Sequence, residues 1–158
     1  MRYTIRAFTS KDLPAFLRLC AEHAAYEKAS YDGKGKAEKL QQAINAQRLY
    51  VWVVDSHSGL VGYTTATLEF STWDACEYLH MDCLYLKEEV RGQGLGERLV
   101  RKVAKLAKEK NCINVQWQTP DWNTKAMSFY ERLGATSKNK VRFFLDESAI
   151  SRLSGDKA

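Results

Sequence analysis

A chain that passes from the apolar run Cys83-Leu84-Tyr85-Leu86 through Arg91-Gly92-Gln93-Gly94-Leu95-Gly96 into an amphipathic stretch ending near Lys110 has little freedom in its middle. The first run reads as a strand and the last as a helix, and the glycines between them must turn the backbone sharply. Glycine lacks Cβ, so positive φ is open to it. Successive N–H groups can then converge on an anion at the positive end of the following helix. The segment predicts a phosphate cradle with a pyrophosphate-bearing ligand as first candidate, although the same residues would also serve a plain tight connection. Its spacing departs from two common cradles. No Lys-Ser or Lys-Thr follows the last glycine, and Gly92-x-Gly94-x-Gly96 is not the dinucleotide pattern G-x-G-x-x-G.

The rest of the chain alternates between the two periodicities. Tyr3 to Ala7 reads as a strand, and Thr9-Ser10-Lys11-Asp12 as a capping box opening a helix that fades near Tyr26, with Leu13, Phe16, Leu17 and Cys20 as its apolar stripe. A loop at Tyr31-Asp32-Gly33-Lys34-Gly35 leads to a shorter helix from Ala37 to Ala46. Tyr50 to Val54 and Leu60 to Leu68 form a hairpin, and Cys76 to Leu86 a third long strand. Beyond the glycine run, Leu95, Leu99, Val103 and Leu106 mark the buried helix face. A strand from Asn114 to Thr119, a helix from Asn123 to Leu133 stopped by Gly134, and a last strand from Val141 to Leu145 complete the order β-α-α-β-β-β-α-β-α-β. Residues 151–158 read as a frayed tail.

At 158 residues, without repeat or linker, the chain fits a single α+β domain spanning 1–158. No apolar run approaches the roughly 20 residues of a membrane span, and the first residues turn polar before any secretory pattern develops, so a cytoplasmic protein with no membrane partner is expected. Four scattered cysteines, with no C-x-x-C pair and no histidines at ligand spacing, predict neither a disulfide framework nor a metal. A net charge of +5 raises nucleic acid as a partner, but much of the excess lies on the helix after the glycine run, at Arg98, Arg101, Lys102, Lys105, Lys108 and Lys110. There it suits an anionic ligand or a solvated helix face, and no nucleic acid is expected.

Two segments together carry a resemblance. Arg91-x-x-Gly94-x-Gly96 resembles the acetyl-CoA pyrophosphate loop of the GNAT N-acetyltransferase superfamily, and the segment from Asn123 through Ala126, Phe129-Tyr130 and Gly134-Ala135 resembles its second signature, N-x-x-A-x-x-F-Y-x-x-x-G-A. Arg18-Leu19, Ala25-Tyr26-Glu27, Trp73 and Tyr78 to Leu86 are similar to the spermidine/spermine-type, small-amine branch. The element order agrees along nearly the whole length. The resemblance implies a mixed sheet of about six to seven strands flanked by about four helices, with strands splayed at the coenzyme A site.

It also implies roles. Leu84 and Leu86 would lend main-chain groups to the pantetheine, with an N–H near Leu84 facing the thioester oxygen. Backbone N–H groups from Gly92, Gln93, Gly94, Leu95 and Gly96 would hold the pyrophosphate, with Arg91 at its edge. Asn123 would bind the pantetheine arm or cap its helix, and Tyr130 would protonate the departing thiolate. On the amine side Asp82 and Glu27 are the candidate carboxylates, His80 an alternative base two residues from Asp82, and Trp73 with Tyr78 an aromatic wall. Each of these also has an ordinary packing or solvation role open to it.

The expected activity is therefore direct transfer of an acetyl group from acetyl-CoA to a primary amine in a ternary complex. The acceptor classes are polyamine-like, aminoglycoside-like or amino-acid-like. A peptide or protein acceptor, and a non-catalytic acyl-CoA-binding module, are the alternatives. The family habit of strand exchange or sheet extension implies a homodimer, with Val141 to Leu145 as the candidate strand.

Overall fold

The computed structural model describes residues 2–155, which fall into two compact units, Met1–Asn123 and Thr124–Ala158. In the first unit five strands lie in sequence order: β1 Thr4–Ala7, β2 Tyr50–Ser56, β3 Gly59–Ser71, β4 Cys76–Leu86 and β5 Val115–Gln116. The first four pair antiparallel and β5 lies parallel to β4, so the sheet is mixed. The helices of this unit are α1 Leu13–Tyr26, α2 Lys36–Asn45 and α3 Leu95–Glu109.

Both sheet faces are buried, which is why β2 reads Tyr50-Val51-Trp52-Val53-Val54 with hardly a polar residue. One face gathers Ile5, Val54, Val61, Val90, Leu95 and Leu99, with Leu84 and Leu86 packed against them. The other gathers Phe16, Leu19, Val51, Val53, Tyr63 and Tyr85, with Cys20, Leu40, Ile44 and Cys83. The long hairpins thus sit between α3 on one side and α1 with α2 on the other.

The expected capping box forms at Thr9 and Asp12, but it opens a short 3-10 turn, Ser10–Asp12, ahead of α1. Arg6 on β1 holds the Asp12 carboxylate through two hydrogen bonds, of 2.8 and 2.9 Å, and reaches Asp55 on β2 at 2.8 Å. Hydrogen bonding from Arg6 lowers the Asp12 pKa to about 2. This cluster ties the start of α1 to the sheet.

Two local features shape β4. The register steps from Thr65↔Cys83 to Ala66↔Met81, leaving Asp82 as the extra residue of a bulge. Cross-strand partners share a face, so the step sends His80, Cys83 and Tyr85 toward α1, while Met81, Leu84 and Leu86 face α3. The second feature is the short reach of β5, which meets β4 only at Leu79 and His80. From Met81 to Leu86 that edge of β4 has no strand partner among the described residues. This is the expected splay.

The second unit holds α4 Thr124–Arg132 and α5 Glu147–Ser154. Gly134, at φ 91°, stops α4 as expected, with Ala135 N–H bonded to the Tyr130 carbonyl. Three expectations are corrected. The sheet has five strands, not six to seven, and five α-helices are present among the described residues, not about four. Val141 to Leu145 forms no strand: its residue types suit one, but a strand exists only where a partner edge takes its backbone groups. Ser151–Ser154 belong to α5, opened by Asp146 accepting from Ala149 N–H at 2.8 Å, and not to a frayed tail; Asp156 to Ala158 lie outside the described residues.

Candidate active site

The first part of the candidate site is made of backbone. β4 runs into a 3-10 turn, Glu88–Val90, anchored by buried Val90, and the chain then crosses Gly92 and Gly94, both at φ 75°. A Cβ at either glycine would meet no protein atom within 4 Å, so the loop leaves an open concavity on that side. Gly94 is the N-cap of α3, and no side chain caps the helix. Its first N–H groups, from Leu95 and Gly96 onward, are therefore presented with the positive end of a 15-residue helix behind them. Leu95, buried, locks that helix start into the core.

The free edge of β4 continues this surface. Leu79 N–H points to the β5 side, where it bonds the Asn114 carbonyl. Strand alternation, stepped once by the Asp82 bulge, turns the main-chain groups of Leu84 and Leu86 to the same edge. The Leu86 carbonyl there accepts from Arg91 Nε at 2.8 Å. The Arg91 guanidinium lies 4.6 Å from the centre of the Tyr26 ring, so Arg91 bridges β4 and the end of α1. Tyr26 also approaches Trp122, and its hydroxyl donates to buried Asn123 Oδ1 at 3.4 Å. A pyrophosphate with an extended arm fits these residues: uncapped N–H groups for the anion, an unpaired strand edge for the amides of the arm.

The second part of the candidate site is a cavity of about 460 Å³ between α1, α2 and the α1 face of β3 and β4. Glu27, at the end of α1, and Asp82, on the bulge, both line it. His80 Nε2 stands 3.6 Å from Asp82 Oδ1 but does not line the cavity. Tyr78 is half-buried on β4. Trp73 is 99% exposed in the turn between β3 and β4, and neither aromatic forms a cavity wall. The six-residue step from Cys76 to Asp82 alone spans about 20 Å at strand rise, which accounts for the separation.

Several cavity residues were not anticipated. His23 on α1 is buried, bonds the Tyr63 hydroxyl through Nδ1 at 2.7 Å, stacks on Tyr85 and holds Nε2 3.7 Å from Glu27. Burial lowers its pKa below the usual imidazole value, against the pull of Glu27 and Asp82. Burial likewise raises the Tyr63 hydroxyl above the ordinary phenol range and the Cys83 thiol to about 12. Lys36 and Lys39 of α2 also line it, as do Tyr31 and Thr65. No motif pointed to them. The available signal was the i, i+3 spacing of two lysines opening a helix, which is common on solvated faces.

Tyr130 is half-buried in α4, its ring 5.3 Å from that of Phe129. Among the described residues, no three His, Cys, Asp or Glu side chains gather as a metal site, and no helix is long and apolar enough to cross a membrane.

Residues 16–135 match the model of the acetyltransferase (GNAT) family, and the chain belongs to that family. It is 30% identical to thialysine N-epsilon-acetyltransferase of Bos taurus over 96% of both chains, and 24% identical to a D-amino-acid N-acetyltransferase of Saccharomyces cerevisiae, covering 90% of this chain and 89% of the relative. Among solved structures, an aminoglycoside acetyltransferase from an uncultured soil metagenomic sample superposes with a TM-score of 0.76 at 22% identity, over 91% of this chain and 95% of the other. That likeness shows the α+β fold expected from the sequence.

Proposed function

We propose that this chain is a single-domain enzyme that transfers the acetyl group of acetyl-CoA directly to a primary amine of a small molecule, both substrates being bound together. The observation that carries the reading is the position of Asp82, which faces the acceptor cavity from the bulge while Leu84, two residues on, turns its main chain to the free edge of β4. One strand thereby joins a donor surface to an acceptor cavity. The relatives that act on thialysine and on D-amino acids support a small-molecule amine.

In this reading acetyl-CoA supplies an activated thioester when bound. Gly92, Gln93, Gly94, Leu95 and Gly96 hold its pyrophosphate through backbone N–H groups, with Arg91 beside them. Leu84 and Leu86 align the arm, Asn123 holds it further along, and an N–H near Leu84 faces the thioester oxygen. The amine arrives as an ammonium, since its pKa lies near that of lysine, about 10.4. Asp82 and Glu27 attract it and receive its proton directly or through water, and His80 stands behind Asp82 as a second acceptor. Tyr130 gives a proton to the leaving thiolate.

The four unpaired cysteines support a reducing, cytoplasmic setting. The exposed run of Val141, Phe143, Phe144 and Leu145 supports a homodimer in which a second copy covers it. Purified protein with acetyl-CoA, offered diamines, aminoglycosides, amino acids and peptides, should release thiol with one or more of the small amines. Turnover with peptides alone would replace this acceptor class, and binding of acetyl-CoA without turnover of any amine would leave a non-catalytic module.

A further inference from the structure

The cavity holds a buried histidine, His23, to which the transfer chemistry gives no task. Its ring lies in a seat made by the sheet. Tyr63 on β3 and Tyr85 on β4 are cross-strand partners, and both belong to the core on the α1 side. The His23 ring stacks on Tyr85 with 5.2 Å between centroids and 19° between planes, and meets Tyr63 edge-on at 5.8 Å. Nδ1 is hydrogen-bonded to the Tyr63 hydroxyl at 2.7 Å. With one face covered and one nitrogen tied, the direction of the other nitrogen is fixed, and Nε2 stands 3.7 Å from Glu27 Oε2.

The two partners decide which nitrogen carries the proton. Burial lowers the His23 pKa against the pull of Glu27 and Asp82, so the ring is neutral above the ordinary imidazole value and bears a single N–H. Burial also pushes the Tyr63 hydroxyl above the phenol range, so Tyr63 keeps a proton to donate. Were the ring proton on Nδ1, the Nε2 lone pair would face the Glu27 carboxylate, acceptor against acceptor. In the other tautomer Tyr63 donates to Nδ1, and Nε2–H faces the carboxylate. Glu27 is in need of such a donor: it is the C-cap of α1, where the negative end of the helix disfavours a carboxylate, and Asp82 brings a second negative charge to the cavity. At 3.7 Å the contact acts through charge, being longer than the roughly 2.7–3.2 Å of a hydrogen bond, and active-site pairs of this kind tighten in the substrate complex.

We propose that His23 is a positioning residue for acetyl transfer: seated on Tyr63 and Tyr85 as the Nε2–H tautomer, it holds the Glu27 carboxylate where the acceptor ammonium meets it. This rests on the acetyl-transfer reading and adds to it the group that orients one of its two carboxylates. His23 acts through Glu27 and takes no proton from the amine.

Nitrogen NMR of the full chain carrying isotope-labelled histidine reads the tautomer directly, and with three histidines in the sequence His23→Asn assigns the signals. At about pH 8 the His23 ring should be neutral, protonated on Nε2 and bare on Nδ1. Glu27→Gln should move the Nε2 signal, and Tyr63→Phe the Nδ1 signal. A ring protonated on Nδ1 or on both nitrogens, or an Nε2 signal indifferent to Glu27→Gln, overturns the proposal. Steady-state kinetics with acetyl-CoA and L-lysine as the probe amine separates positioning from packing. His23→Leu should raise the KM for the amine about 3- to 10-fold, as a hydrogen bond of ordinary net worth supplies, and the KM for acetyl-CoA less than about 2-fold. In a Glu27→Gln background the same change should add less than about 2-fold, because the carboxylate it orients is already gone. A full effect in that background, or equal losses for both substrates, would leave His23 a packing residue and overturn the proposal. Failure to acetylate any amine counts against the acetyl-transfer reading alone, since the NMR signals still uphold or overturn the hold of His23 on Glu27. They also decide the matter if His23→Leu does not fold.

Discussion

The donor surface and the acceptor cavity lie on the same strand but are built from different materials. The donor surface uses main chain: two glycines in the left-handed region, an uncapped helix start and an unpaired strand edge. The acceptor cavity uses side chains brought from α1, α2, β3 and β4. A backbone surface tolerates many side chains but few backbone conformations, and a side-chain cavity the reverse. Substitutions should therefore damage the two regions through different kinetic constants.

The largest effect is expected at the point where the regions meet. Asp82→Asn keeps the shape of the bulge and removes the carboxylate from the cavity, so kcat/KM for the amine should fall about 100-fold, the lower end of general acid–base contributions. The KM for acetyl-CoA should stay within about 2-fold, well under the tenfold change that 1.4 kcal/mol brings. Steady-state kinetics with each substrate varied in turn would check this. A matching loss on the acetyl-CoA side would show that the bulge serves the donor surface instead. Gly94→Val is the reciprocal change. It forces a β-branched residue into φ 75° and pushes a side chain into the open concavity, at a cost of about 1–3 kcal/mol, so KM for acetyl-CoA should rise roughly 10- to 100-fold.

A smaller effect is expected behind the donor edge. A Cβ at Gly62 on β3 would fall 2.5 Å from Leu86 Cδ2 and 2.8 Å from the Tyr85 carbonyl oxygen, so no side chain fits without moving β4. Gly62→Ala should cost about 1–3 kcal/mol in chemical denaturation, typical of overpacking. It should also raise KM for acetyl-CoA more than KM for the amine. Equal changes in both would mean that the strand edge and the cavity move as one body, and the contrast between them would be lost.

The contrast also explains what could be read from the sequence. Glycine spacing at residues 92–96 reports backbone conformation directly, so the turn, the strand before it and the helix after it were legible, as were α1, α2, the hairpin of β2 and β3 and the long strand β4. Asp82 and Glu27 were reached through family resemblance. His23, Lys36, Lys39 and Thr65 were not reached, because residues that converge from distant parts of the chain leave no periodic trace. β5 was expected over six residues and pairs over two, because a strand's length depends on how far its neighbour runs alongside, which strand propensity does not encode. Val141 to Leu145 differs for a related reason: its composition suits a strand, but it is paired in no sheet among the described residues.

The smallest expected effect concerns proton balance on the acceptor side. His23 is buried with its folded pKa below its unfolded value near 6.5, so the unfolded chain binds more protons than the native one between those two values. Stability from this group is then complete above about pH 6.5 and declines as pH falls through the window toward the folded pKa. His23→Gln removes the titration while keeping an amide that can meet the Tyr63 hydroxyl. The fall in Tm between pH 7 and pH 5 should be shallower in the variant, and activity at pH 8 should drop less than about 10-fold if His23 only braces Glu27. An unchanged Tm profile would mean that His23 has the same pKa in the native and unfolded chains, and a steeper fall in the variant that His23 carries a proton in the native state. The charges nearest it, Glu27 and Asp82 against Arg91, would then outweigh its burial, and the acceptor wall would be less acidic than its two carboxylates suggest.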